Sequence, residues 1–167
     1  MQITTRPVVL HQLKLITMIV ISFLALSLSC RPAGAATGHI AKVLPHLLDL
    51  RGRHTIAPSL YERDAYQAYL RQHPEQRSGI RFDIHWKTKD PAFGTLMLRL
   101  ELRGIAQGNL PRQTMIEQPV KSNGWSSHWT GLGLRGKDYH DFGEVTAWRV
   151  SLWDDTGLLA EQSSFLW

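Results

Sequence analysis

From residue 81 onward, apolar and polar positions alternate with a period of two. In residues 81–87, Phe82, Ile84 and Trp86 fall on one face and Asp83, His85 and Lys87 on the other. Residues 95–103 set Leu96, Leu98, Leu100 and Leu102 against Met97, Arg99, Glu101 and Arg103. Successive side chains of a strand point to opposite faces, so this rhythm predicts strands with one buried and one wet face, as in antiparallel sheets. Residues 146–153 repeat it, with Trp148, Val150 and Leu152 opposed to Ala147, Arg149, Ser151 and Trp153. Shorter candidate strands cover residues 113–118, closed by Pro119, and 127–134, with Leu132 and Leu134 in step. Turn residues separate them at Lys89-Asp90-Pro91-Ala92-Phe93-Gly94, at Ser122-Asn123-Gly124 and at Asp154-Asp155-Thr156-Gly157. Residues 158–167 have no clean period. They are expected to form a last strand containing a bulge and running in the sheet to the final residue.

Before residue 79 the pattern changes. Ser59-Leu60-Tyr61-Glu62 has the spacing of a capping box, in which serine accepts a hydrogen bond from the backbone N–H three residues on. Ala65, Tyr66, Ala68, Tyr69 and Leu70 supply helix formers and a partly apolar stripe, and Pro74 forbids continuation. One helix over about residues 60–72 is therefore predicted. Residues 36–58 are mixed: Val43-Leu44 and Leu47-Leu48-Leu50 suit a short helix or an edge strand. The expected organisation is residues 1–35 as an export segment, 36–78 as an N-terminal segment bearing the helix, and 79–167 as the β body.

Six or so strands over about 90 residues, punctuated by turns, predict an antiparallel β-sandwich, with a small open β-barrel as the alternative. The final hairpin and the strand count resemble immunoglobulin-like and fibronectin-III-like domains at the level of the fold, without the Cys…Trp…Cys spacing of true immunoglobulin domains. Such a fold hosts many unrelated functions and assigns none.

Charge narrows the partners. The 167 residues carry 19 basic and 14 acidic side chains, a formal +5. Residues 1–35 hold Arg6, Lys14 and Arg31 and no acid, so the remaining 132 residues carry only +2. Phosphate binding needs clustered excess Lys and Arg, and a body this balanced does not point to nucleic acid.

The first 35 residues have the layout of a secretory signal: Arg6 and Lys14, then the apolar run Leu15 to Leu28, then Ala33-Gly34-Ala35 before Ala36. Fourteen residues are short of the roughly 20 that span a bilayer. Cys30, the single cysteine, follows Ser27-Leu28-Ser29, a pattern that resembles the lipobox of bacterial lipoproteins, in which the cysteine is acylated and becomes the new N-terminus. Ser27 stands where that family prefers an aliphatic residue. Two fates thus stay open, cleavage after Ala35 or lipidation at Cys30, and both imply a periplasmic or secreted location. Contact with the membrane is expected only through the signal segment or that lipid.

Several motifs suggest chemistry without its context. Gly131-Leu132-Gly133-Leu134-Arg135-Gly136 spells the dinucleotide fingerprint, but the continuation does not read as a helix and no strand–helix–strand unit surrounds it. Asp141-Phe142-Gly143 matches the kinase triplet without a lysine strand or catalytic loop. Asp138, His140 and Asp141, read as a loop, bring two carboxylates and an imidazole into four residues, a donor set suited to a divalent ion. They carry the alternative reading, a small metal-dependent hydrolase. No cofactor is implied by any motif.

Tryptophan is abundant, with six in the chain. Trp86 and Trp148 are in step with core aliphatics. Trp125, Trp129 and Trp153 fall out of step and, with Tyr139, form a candidate aromatic contact platform for a sugar or a protein. The preferred competing arrangement lays the helix at 60–72 over that outer face, making them a second small core, because large apolar patches are rarely left exposed on monomers. The sequence therefore reads as an exported, non-enzymatic β-sandwich module that binds an envelope protein or glycan. Intact mass of the exported form tests the leader: we expect an unmodified chain beginning at Ala36, whereas added fatty chains on Cys30 identify a lipoprotein.

Overall fold

The computed structural model describes residues 37–88, 95–122, 127–155 and 157–167. Among them run β1 Gly38–Asp49, α1 Leu60–Gln72, β2 Arg77–Thr88, β3 Leu96–Ala106, β4 Leu110–Val120, β5 Ser127–Arg135, α2 Gly136–Phe142, β6 Glu144–Asp154 and β7 Gly157–Ser163. The strands form two antiparallel sheets, ordered β1-β2-β5 and β4-β3-β6-β7. The two stay separate and face each other, so a β-sandwich forms and the open-barrel alternative does not. In the constant-type immunoglobulin arrangement the fourth strand pairs with the fifth. Here β4 stays beside β3. Residues 1–35, expected to form the export segment and including Cys30, lie outside the described residues, as do Trp125, the linker at 89–94, Asn123-Gly124 and Thr156.

The alternation read from the sequence builds the core. Phe82, Ile84 and Trp86 of β2 meet Leu98, Leu100 and Leu102 of β3 and Val150 and Leu152 of β6 in one buried cluster. Each such side chain removed from water contributes roughly 1.5–3 kcal/mol before entropy is counted. Trp148 packs at the edge of this layer, its ring 6.1 Å from Phe82 in an edge-on contact. Trp86 donates its indole N–H to Thr130 Oγ1 at 2.9 Å, which satisfies the one polar atom that it buries.

Residues 36–78 are not a separate appendage. β1 pairs with β2 along its whole length, and Ala36–Trp167 form one compact unit. The predicted helix appears as α1, with Ser59 accepting from the Glu62 N–H at 3.4 Å. Arg77 closes its other end by donating to the carbonyls of Leu70 and Arg71. Its buried residues, however, are Leu70 and the polar Gln67; Ala65 and Tyr69 of the expected apolar stripe face solvent. Gln67 behaves as a substitute strand. Its Oε1 accepts from the Leu47 N–H at 2.8 Å, and its Nε2 donates to the carbonyls of Leu47 and His54 at 3.0 and 2.7 Å. An edge strand presents unpaired backbone groups, and here a side-chain amide occupies them.

Two expectations change. Residues 137–142 are helical, so the glycine-rich run does lead from a strand into a helix. That helix is a single short piece, and β5 pairs antiparallel to β2, so no parallel dinucleotide-binding unit results. The glycines serve packing: a Cβ on Gly133 would lie 2.0 Å from the Ile80 carbonyl oxygen. The last strand stops at Ser163, after the expected bulge, here at Leu152/Trp153. The final residues then turn back, with the Ser164 N–H on the Trp148 carbonyl at 2.8 Å.

Gln67→Ala leaves two carbonyls and an N–H without partners. We expect a loss of about 2–3 kcal/mol in urea unfolding, with the slope of the transition unchanged. Gly143, with φ +86° and no room for a Cβ beside the Ile105 carbonyl, caps α2 against β3. Gly143→Ala is expected to cost more than Gln67→Ala in the same measurement.

Candidate functional site

The outward positions of the four-stranded sheet hold most of its charge. Arg99, Glu101 and Arg103 of β3 stand beside Trp153, Ser151 and Arg149 of β6, because the register pairs Arg99 with Ser151 and Glu101 with Arg149. Arg149 makes a two-pronged bond to Glu101, Nε to Oε2 at 2.7 Å and Nη2 to Oε1 at 2.9 Å, and lies 3.8 Å from Glu161. This arginine pair, working against burial, holds the Glu101 carboxyl below its ordinary range. Arg99 donates to Glu117 at 2.8 Å and rests over the Trp153 ring at 4.9 Å. The Trp153 indole N–H donates to Ser151 Oγ at 2.8 Å.

Trp167 completes the row. The Arg103 and Arg149 guanidiniums lie over its ring at 4.1 and 4.8 Å. A groove of about 450 Å³ opens beside it, lined by Glu101, Arg103, Gln113, Met115 and Arg149. Among the described residues each carboxylate of this face is paired with an arginine, whereas Arg103 has no carboxylate partner and its Nε has no hydrogen-bond acceptor. An arginine without an acid beside a groove suits an incoming carboxylate, which a guanidinium can grip with two bonds.

The residues picked from the sequence do not share one surface. Trp153 lies on this face. Trp129, 56 % exposed, stands on the outer face of the other sheet, stacked on His85 with ring centres 4.7 Å apart. Tyr139 is buried in the core cluster and does not stand on an outer face with them. The helix does not cover Trp129 either: α1 packs on β1. Trp125 is outside the described residues. Trp167, Arg103 and Arg149 were not singled out, although the alternation had already placed residues 103 and 149 on the wet face.

Asp138, His140 and Asp141 lie on α2 and not in a loop. Lys137 pairs with Asp141 one turn away. Successive helix residues are turned by about 100°, which directs His140 away from the side shared by Asp138 and Asp141. No group of three His, Cys, Asp or Glu side chains converges among the described residues. Among them, too, no helix is long and apolar enough to cross a membrane.

A second polar cluster sits on the outer face of the three-stranded sheet. Asp49 accepts from the backbone N–H groups of Arg51 and Arg53 at 2.9 and 2.8 Å, from Arg53 Nε at 2.9 Å and from the Tyr66 hydroxyl at 2.8 Å. Burial pushes its pKa up, but these four donors win and hold it at about 2. The His46 and His54 rings lie tilted at 37° with centres 5.0 Å apart, His46 3.6 Å from Asp83 and His54 Nδ1 3.2 Å from Arg81 Nη2. Arginine only donates, so in this contact His54 Nδ1 is the acceptor. Burial, with the charges of Arg81 and Arg63, lowers the pKa of both histidines against the pull of Asp83.

No protein-family model and no curated protein matches this chain. Among solved structures it is similar to an immunoglobulin-like protein from Pseudomonas aeruginosa, at 12% identity and a TM-score of 0.35, over 80% of this chain and 97% of that one. The assignment of the sandwich rests on the strands themselves.

A histidine whose pKa is lower folded than unfolded supplies stability above its unfolded value and loses it as pH falls toward the folded one. We therefore expect the unfolding free energy to decline as pH drops below about 6.5, and to decline less in a His46→Asn, His54→Asn double variant. The contribution of Asp49 disappears only as pH falls from its ordinary carboxylate range toward about 2, so the two windows separate in a pH series of urea melts.

Proposed function

We propose that this protein is an exported, non-enzymatic β-sandwich module that acts by contact with an envelope protein or glycan, and that the contact face is the outer side of the four-stranded sheet. The observation that carries the reading is Arg103: a guanidinium stacked on Trp167, without a carboxylate partner among the described residues, at the wall of an open groove. Trp153 and Arg99 extend the same row, so a ligand there meets alternating cations and aromatic rings. That chemistry favours an acidic sugar or an acidic protein segment, because carboxylates pair with guanidinium and ring faces pack on indole. Export rests on the leader described from the sequence. No observation favours the hydrolase reading at Asp138, His140 and Asp141.

Polygalacturonate is a suitable acidic probe, with neutral dextran as its control. Tryptophan fluorescence is expected to shift with polygalacturonate and not with dextran, and Arg103→Ala to weaken binding about tenfold. The substitution removes one cation–π contact, which costs the fold only about 0.5–1 kcal/mol. For a protein partner, a photo-crosslinker at Met115 is expected to capture an envelope component whose recovery falls in the Trp153→Ala variant. The reading fails if polygalacturonate leaves the fluorescence unchanged and the crosslink recovery is indifferent to Trp153.

A further inference from the structure

A two-sheet sandwich has four edge strands, each a template for another strand unless something blocks it. Three are blocked here. β1 has Gln67 bonded to its backbone, two register irregularities and Pro45. β4 contains Pro111 and Pro119, which lack a backbone donor. β7 is short, bulged at Leu159 where its register with Leu152/Trp153 of β6 shifts, and followed by a chain that folds back onto Trp148. β5 has none of these features. Its nine residues keep an unbroken register with β2 and include no proline and no acid.

We infer that the free edge of β5 pairs with β5 of a second copy of this chain, antiparallel about a two-fold axis through Gly131. The side-chain period of two decides the register. Outward positions must meet outward positions, and centring on Gly131 is the alignment that keeps all nine residues paired. It places Trp129 opposite Gly133 of the other copy, Ser127 opposite Arg135, and Gly131 opposite itself. Trp129 has His85 on one side and is otherwise open, while Gly133 offers backbone without a side chain. An aromatic ring laid across an opposing glycine covers what the glycine leaves bare. Arg135 is the only Lys, Arg, Asp or Glu of the strand, and it falls against serine, so no like charges meet. The two three-stranded sheets thereby become one of six strands, and the proposed ligand face on the other sheet stays free.

Directly opposed residues of an antiparallel pair have Cα atoms about 4.5–5.5 Å apart, within the range that a disulfide spans. The test uses the full chain in non-ionic detergent with Cys30→Ser, adding either Gly131→Cys or, on the β4 edge, Met115→Cys. Mild oxidation is expected to convert most of the Gly131→Cys protein to a reductant-sensitive dimer and to leave Met115→Cys monomeric. Equal crosslinking of the two, or none at Gly131→Cys, overturns the proposal. Sedimentation of the Cys30→Ser chain with and without Gly131→Lys gives a second reading: opposed lysines at the axis are expected to weaken the dimer about tenfold or more, without moving the melting temperature of protein diluted until it is monomeric. A dimer that Gly131→Lys leaves intact lies on another surface, and a chain monomeric at every concentration has no such interface; either result ends the proposal.

Discussion

The structure depends on one buried layer shared by two sheets. Phe82, Ile84 and Trp86 on one side and Leu98, Leu100, Leu102, Val150 and Leu152 on the other are shielded from water by each other and by the rest of the same cluster, Ile40 and Val43 of β1 and Leu132 and Leu134 of β5 among them. No residue described here is a cysteine, so no disulfide reinforces the contact. The period of two that fills this layer also fixes what faces outward, because a slip of one residue would exchange the two sets. Arg99, Glu101 and Arg103 face outward, half-buried, for the same reason that Leu98, Leu100 and Leu102 are buried.

The backbone at the sheet edges imposes the second demand. Burying apolar faces leaves four strands with unpaired N–H and C=O groups along one side. A helix contributes little to this core, and α1 does something else: it brings Gln67 to the backbone of Leu47 and His54, and Tyr66 to Asp49. Asp49 in turn orders the turn through Arg51 and Arg53. The turn after β1 and α1 are thus tied to β1 by polar bonds of good geometry, each worth about 1 kcal/mol net and costly to leave unmade. This also explains why acid should act there first.

Strands β2, β3 and β6 were legible in the sequence because each buries one face and wets the other, and α1 because Ser59, Glu62 and Pro74 mark both its ends. β1 was ambiguous: its bulges at Ile40/Lys42 and Leu48/Asp49 break the alternation, and Pro45 interrupts it again. α2 was missed because it is seven residues long, begins on a glycine and has no side-chain cap, so tertiary packing of Tyr139 and Phe142 holds it and local propensity does not. Gln67 was invisible for a different reason. A glutamine among helical polar residues reads as solvated, and only the edge of β1 beside it gives it a buried role. The tryptophans illustrate the same limit: being out of step identified Trp129 and Trp153 as outward, but only the strand order tells that they belong to opposite faces.

The outward face of the four-stranded sheet can then be weighed against what the fold requires. Arg99–Glu117 is an exposed ion pair, which contributes about 0–1 kcal/mol, and Arg149–Glu101 is a half-buried, two-pronged pair whose attraction is offset by the cost of taking both charges from water. Threonine or serine at these positions would serve a half-wet strand as well. Stability therefore does not explain three arginines, two tryptophans and a groove assembled on one surface. Arg103 sharpens the point, since a guanidinium with an unmet Nε adds a desolvation cost that the sandwich has no need to bear. A structural role accounts for the inner face of β3 in full and for its outer face only in part, and that asymmetry is the physical reason for proposing recognition there.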